Sequence, residues 1–518
     1  MNRVFELNPV LVKEIRQAQR GKVFPLALIG TVSVALLSCL MFAISEGHSS
    51  HDRSLGPAIF QSVYWLLSGA LLLLVPFQAF VSMGAEWDDN TFELLILSNL
   101  KPAQILGGKI FAAMTQALLL FATFLPFVAV AFLMQGVGVV TLALILVLTL
   151  IASLILITGA VALSTLTRKR FLRVLLMILL ALGLVMIVGA SMEIASDLIR
   201  RPDTIDESEF WLVLIQFVIF FGFVGVLAFF MSCNMLAHEE ENRSSNVRIL
   251  VSLALLFYLI AMAFNARWPS VSIPRDAVFG VTTLIMFLLG AVCAMFCFEP
   301  ERLGRRVLST VPKNPRVAFF VAPWFPGGGN GVIFLLLHLT VLVCGALFIA
   351  NWPGHRLTSY RSSGSDSLLS GGGYSMLAGL LYVLLYTLFT IGVLYRWAST
   401  ARRRYSLRVA TLCSPLFYLL VPAAFGLLVG NWAWQDMQHI GNPGELIGDS
   451  GRGHFSENGY VVVLVLAAFI GLMMNAGRML GALESIRAAS KARVAREKEE
   501  AKVTGELAGE TGGEVTDA

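Results

Sequence analysis

The chain has 518 residues, 57% of them hydrophobic and only 14% charged, with a mean hydropathy of +0.77. A soluble protein averages about 25% charged residues, so a water-soluble globular protein is excluded, and repeated apolar runs of about 20 residues point to membrane helices rather than a barrel. The formal net charge of +5 decides little by itself, because what orients a membrane chain is where its charges lie.

Residues 1–22 hold Arg3, Lys13, Arg16, Arg20 and Lys22, while Val10, Leu11 and Ile15 fall roughly on one side. This pattern predicts a helix lying on the membrane surface before the first span; the plainer reading, a basic anchor, orients the chain the same way. No cleavable signal peptide is expected, because no small-residue cleavage site follows the first apolar run. Twelve spans are predicted, at about 23–45, 59–84, 109–134, 138–163, 174–191, 210–237, 249–265, 277–298, 331–351, 374–395, 409–430 and 459–477. With the N-terminus inside, 30 of the 38 Lys and Arg residues fall on the cytoplasmic side and 8 outside, which places both termini in the cytoplasm and the protein in the cytoplasmic (inner) membrane.

Counting Lys109 with the loop before it, no Lys, Arg, Asp or Glu lies inside a span, and Arg173 stays near the surface. Ion-coupled carriers usually hold an ionisable group at mid-membrane, and channels with charged rings need one too. Gln78, Gln116, Gln216 and Asn475 are the polar side chains within spans, where hydrogen bonding between helices competes with a role in lining a path. All six cysteines fall in apolar spans, which argues against a disulfide framework, and Cys293 with Cys297 lacks the companions a metal would need. Metal sites at His48, His51 and Asp52, or at Asp436, His439, Asp449 and His454, are outweighed by solvated loops. The loop 192–209 is polar and acidic, and residues 478–502 are rich in Ala, Arg, Lys and Glu, predicting a helix that leaves the membrane before a disordered end.

One loop stands apart. Glu86 to Lys109 reads EWDDNTFELLILSNLKPAQILGGK between two apolar runs. Asn90 can cap a helix, with Glu93 three residues on to reach back to the cap N–H. Phe92, Leu95 and Ile96 recur at helical spacing, and Pro102 suits the first turn of a following helix. Four acids against two lysines make the stretch a poor match for anionic lipid, so a protein partner is the sharper reading.

This stretch resembles the loop between the second and third spans of ABC-2 type transporter permeases, through Glu86, Thr91, Glu93, Leu94, Leu95, Leu100, Gly108 and Lys109. Asn90, Phe92 and Asn99 depart from the usual glycine, leucine and proline. The opening Asn8-Pro9-Val10-Leu11-Val12-Lys13-Glu14-Ile15-Arg16 resembles the amphipathic helix that begins such permeases. The resemblance implies a coupling helix at 90–98 that docks into a separate ATPase subunit, with Glu86 and Glu93 in charged contacts and Phe92, Leu94 and Leu95 in its groove. It also implies an elbow helix carrying Lys13, Glu14 and Arg16. The outer loop 192–209 lacks the apolar re-entrant helices that often follow the fifth span in that family.

The expected fold is therefore an all-α polytopic membrane protein of about 12 transmembrane helices with an ABC-2-permease-like N-terminal half. Its parts are a surface helix at 1–22, a six-helix domain at 23–237, a second six-helix region at 238–480 and a cytoplasmic tail at 481–518. Residues 299–330 occupy the place in the second half that 85–108 occupies in the first, and Glu299 and Pro315 are 16 apart, as are Glu86 and Pro102. Arg305-Arg306 replaces Phe92-Glu93, so a degenerate copy competes with a plain addition of spans. If the second half is not a copy, a second permease chain becomes a partner. The run Pro326-Gly327-Gly328-Gly329-Asn330-Gly331 lacks the Lys-Ser/Thr of a phosphate loop and is expected to be a flexible approach to the ninth span.

No Walker motif is present, so ATP is expected on the partner subunit, with no directly bound cofactor, no metal and no catalytic residue in this chain. The bilayer and the ATPase are the expected partners; nucleic acid is not. The expected activity is that of a permease subunit of an ATP-driven exporter. The alternatives are a secondary transporter, against which the missing mid-membrane charge weighs, and a non-transport multispan protein. A lipid-linked transferase would need acids at a membrane face, and Glu299, Glu301 and the 238–241 cluster match no motif.

Overall fold

The computed structural model describes residues 8–21, 23–46, 56–88, 101–134, 137–166, 169–236, 244–267, 275–301, 304–350, 371–396, 411, 414 and 460–512. Every regular element among them is helical, and eleven helices are long and apolar enough to cross a membrane. These match eleven of the twelve predicted spans; the other, 409–430, lies outside the described residues apart from Thr411 and Ser414. The chain is an all-α polytopic membrane protein. It divides into two compact units, Met1–Ala237 and His238–Ala518.

In the first unit, α1 (Pro9–Arg20) precedes the first spanning helix, α2 (Val23–Glu46). The second span is α3 (Gly56–Ser68), a π-helical turn (Gly69–Leu74) and α4 (Val75–Asp88). Then come α5 (Pro102–Leu133), α6 (Val139–Thr165), α7 (Arg170–Arg200) and α8 (Ser208–Leu236). Tyr64, Leu67, Leu71, Phe124, Ile145 and Val161 are buried in one apolar core. Between helices in lipid, where water is absent, association rests on such packing and on hydrogen bonds. Tyr64 Oη lies 3.0 Å from Thr149 Oγ1, and Ser153 Oγ donates to Leu71 O at 2.9 Å. That second bond serves a carbonyl in the π turn, where widened i→i+5 geometry disturbs the usual ladder.

In the second unit, α9 (Ser245–Arg267) and α10 (Arg275–Cys297) lead into two short helices, α11 (Arg305–Leu308) and α12 (Pro315–Val321). A 3-10 turn, Ala322–Trp324, joins α12 to α13 (Gly328–Ala350). The next span is α14 (Gly371–Leu384), a π turn (Leu385–Phe389) and α15 (Thr390–Tyr395). The described chain ends in α16 (Tyr460–Gly512), which packs on α13 and on that π turn. Asn475 Nδ2 donates to Leu388 O at 3.0 Å, so a side chain from a neighbouring helix again serves a π-turn carbonyl. Asn475 thus makes a bond between helices.

A succession of elements recurs in the two units. In each, an asparagine caps a short helix with proline at its first turn (Asn8-Pro9, Asn314-Pro315), an unbroken span follows, and the next span carries a π turn. This register pairs α12 with α1, whereas the sequence comparison set residues 299–330 beside 85–108.

Helix α5 begins at Pro102, the start expected from Lys101-Pro102 and seven residues ahead of the predicted span; Ile105 and Leu106 are buried, and Gln104 Oε1 accepts from Lys101 N–H at 3.0 Å. Two expectations are corrected. Helix α7 runs to Arg200, so half of the predicted loop 192–209 is helical: Met192, Ala195 and Leu198 are buried in the core while Glu193 and Asp197 face outward. The glycine run at 327–331 is not a flexible approach to a span. Gly327 has φ +127°, a Cβ on Gly331 would sit 2.9 Å from the Phe296 carbonyl carbon, and one on Gly329 would collide with the Arg478 backbone. Glycine is needed there because helices approach backbone to backbone.

Candidate functional site

The residues brought together in the first unit lie at one end of α4 and α5, beside α1. Local sequence sets each element. Asn8 caps α1 by accepting from Val10 N–H at 3.1 Å, and its amide donates to Gln104 O at 2.5 Å, tying the cap to the first turn of α5. Gly108 lets α1 lie on α5, since a Cβ there would be 2.9 Å from Val10 Cβ.

That close approach aligns the charges. Lys109 Nζ stands 2.9 Å from Glu14 Oε1 and 3.1 Å from Glu86 Oε1, and donates to Ser82 Oγ at 3.3 Å. Lys13 Nζ reaches Glu86 Oε1 at 3.3 Å, and Ser82 Oγ donates to Glu14 Oε2 at 3.4 Å. The Lys109 side chain is only 4% exposed and that of Lys13 50%. A buried ammonium is costly to desolvate and is stable here because two carboxylates face it. Two cations and two anions leave the group near neutral overall.

A cavity of about 450 Å³ adjoins the cluster, bounded by α1, Phe24 of α2, Gln78 and Ala79 of α4, and Ala113 and Gln116 of α5. Gln78 and Gln116, two of the three glutamines predicted within spans, therefore line this space.

Of the elbow residues named from the sequence, Lys13 and Glu14 join the cluster, while Arg16 is exposed and takes no part in it. Of the coupling-helix residues, Glu86 joins it; Thr91, Phe92, Glu93, Leu94 and Leu95 lie outside the described residues. Their flanks are fixed: Glu86 precedes residues 89–100, Lys109 follows them, and the two are in direct contact.

The sequence reading missed how deeply the boundary charges are buried. Arg173, expected near the membrane surface, is covered by protein: it is 6% exposed and its Nη1 donates to Gly84 O at 2.9 Å, bracing the end of α4. In the second unit Arg248 is fully buried. Its Nη2 meets Glu299 Oε2 at 2.8 Å, and its Nη1 donates to Pro323 O at 2.8 Å and Phe325 O at 2.5 Å. Glu299 also accepts from Gly327 N–H at 2.9 Å and Ser244 Oγ at 3.0 Å. The only signal in the sequence was a charge standing one residue outside an apolar run.

Among the described residues no group of three His, Cys, Asp or Glu side chains is placed to hold a metal ion. What the first cluster can do is mechanical: it links α1, the end of α4 and the start of α5. No protein-family model matches the chain, and neither a curated protein nor a solved structure does.

Proposed function

We propose that this chain is the membrane-spanning permease subunit of an ATP-driven ABC exporter, seated in the cytoplasmic membrane with both termini inside. The observation that carries the reading is the contact of Lys109 with Glu86 and Glu14, which joins the surface helix to both flanks of residues 89–100. A loop held this way transmits force: displacement of 89–100 moves α1, α4 and α5 together instead of being lost in slack. The resemblance of the loop and of the opening helix to ABC-2 permeases supplies the partner, a separate ATPase that closes on ATP. In this scheme Phe92, Leu94 and Leu95 seat in the ATPase, Glu93 meets its charges while Glu86, expected from the resemblance to do the same, is held within the chain by Lys109 and Lys13, and the spans alternate between inward and outward openings. ATP stays on the partner, and the permease itself performs no bond chemistry.

The test is purification of a tagged full chain from mild detergent, followed by mass spectrometry. An ATP-binding-cassette ATPase should accompany the parent and be lost from a Glu93→Arg, Leu94→Asp double variant. A folded parent that carries no such ATPase, even after cross-linking in the membrane, removes the exporter reading.

A further inference from the structure

Helix α12 (Pro315–Val321) has two unlike faces. Ala318 and Ala322 are fully buried in a cluster with Val307, Val311 and Ile486 of α16. On the other face Phe320 is 75% exposed, Phe319 55% and Val317 46%. Phe319 and Phe320 sit edge to face, with centroids 5.9 Å apart, as one aromatic knob. We propose that this knob inserts into the headgroup layer of the bilayer and that Lys313 and Arg316 beside it bind anionic lipid headgroups.

The depth of α12 follows from its anchors. The uncharged part of α16, Tyr460 to Gly477, is about 27 Å long at ~1.5 Å per residue, close to the thickness of a bilayer core. Beyond it, Ile486 packs under α12, Ser490 Oγ donates to Lys313 O at 2.8 Å and Arg493 Nη1 donates to Val311 O at 2.7 Å. From the other direction, Arg248 holds the Pro323 and Phe325 carbonyls, and Trp324 Nε1 donates to Ser252 Oγ at 2.9 Å. The 3-10 turn after α12 is thereby fixed to the end of α9. A tryptophan at that level suits a membrane–water boundary.

Charge selects the occupant. Among the residues whose exposure is described, Lys313, Arg316, Arg487, Lys491 and Arg496 are exposed on these two segments, against the exposed acid Glu484. Aromatic side chains flanked by bases fit an anionic lipid surface. The acidic stretch at 86–93 has the opposite character.

Phe320, and separately Phe319, would be replaced in the full chain by the photoreactive benzoylphenylalanine. Each variant would be irradiated in the cell membranes that contain it, and then in phosphatidylcholine vesicles with and without phosphatidylglycerol. Phospholipid adducts on the peptide bearing the probe are expected in both settings. A Lys313→Glu, Arg316→Glu variant should lower the phosphatidylglycerol share of those adducts, by roughly fivefold for each charge. An adduct to polypeptide in cells would overturn the proposal in favour of a protein-docking face. Failure to label lipid at either position would also overturn it, and an unchanged phosphatidylglycerol share would remove the headgroup assignment.

Discussion

Each unit ends a span with a glutamate held by a cation, and the two arrangements differ in kind. Glu86 meets ammonium groups from two other elements, one of them half exposed, with a cavity alongside. Glu299 meets one fully buried guanidinium whose two Nη groups also donate to backbone carbonyls, close to glycines packed against backbone. A lysine is a point charge on a flexible stem, whereas an arginine is a planar fork that fixes direction. The first arrangement ties α1, α4 and α5 together through charges that need no one orientation; the second locks three segments in one geometry.

The largest effect is expected from breaking the lock. Arg248→Met leaves Glu299 and several carbonyls without their donor inside the protein, at a cost of about 4–5 kcal/mol. Thermal unfolding in detergent, followed by size exclusion, should show the second unit failing; Arg248→Lys should recover only part, because an ammonium cannot serve the same fork. Unchanged melting would mean that the guanidinium contacts carry no stability. Lys109→Met comes next, at about 3 kcal/mol, since it leaves Glu14 and Glu86 facing each other. Adding Glu14→Gln should restore part of that loss, and a double-mutant cycle with no coupling would show that the cluster is not one network.

Smaller effects sharpen the same contrast. Gly329→Ala should cost about 1–3 kcal/mol, because the new methyl meets the rigid Arg478 backbone. Gly108→Ala should cost less, because its Cβ would stand 2.9 Å from Val10 Cβ and 3.1 Å from Leu11 N, a milder overlap than the one at Gly329. Equal losses would show the two helix contacts to be equally rigid. Lys13→Ala is the smallest, below about 1 kcal/mol for a half-exposed pair, and its effect should fade with added salt. A large, salt-insensitive loss would place Lys13 inside the clamp rather than on its rim.

Much of this architecture was legible in the sequence because each span is long enough to announce itself. Lys101-Pro102 also revealed its helix start, since the effect of proline is local. The cluster was not legible as a cluster: Lys109 and Glu14 are 95 residues apart, and Lys13 and Glu86 are 73. Hydropathy treats a charge beside an apolar run as a loop residue, so Lys109, Arg173 and Arg248 read as surface groups until packing covered them. The glycine run misled for a related reason. Glycine marks either freedom or close approach, and only the neighbouring backbone of Arg478 and Phe296 distinguishes the two.

The π turn at Gly69–Leu74 has a consequence at the far end of its helix. A π turn holds one residue more than the regular spiral around it, so it sets the angular phase of everything that follows. Wound instead as uninterrupted α-helix with every residue kept, the span would turn α4 by about 100° relative to α3, and Glu86 would point away from Lys109 although neither residue had been touched. How one turn of an apolar run is wound, rather than its composition, thus determines whether the charges below it meet.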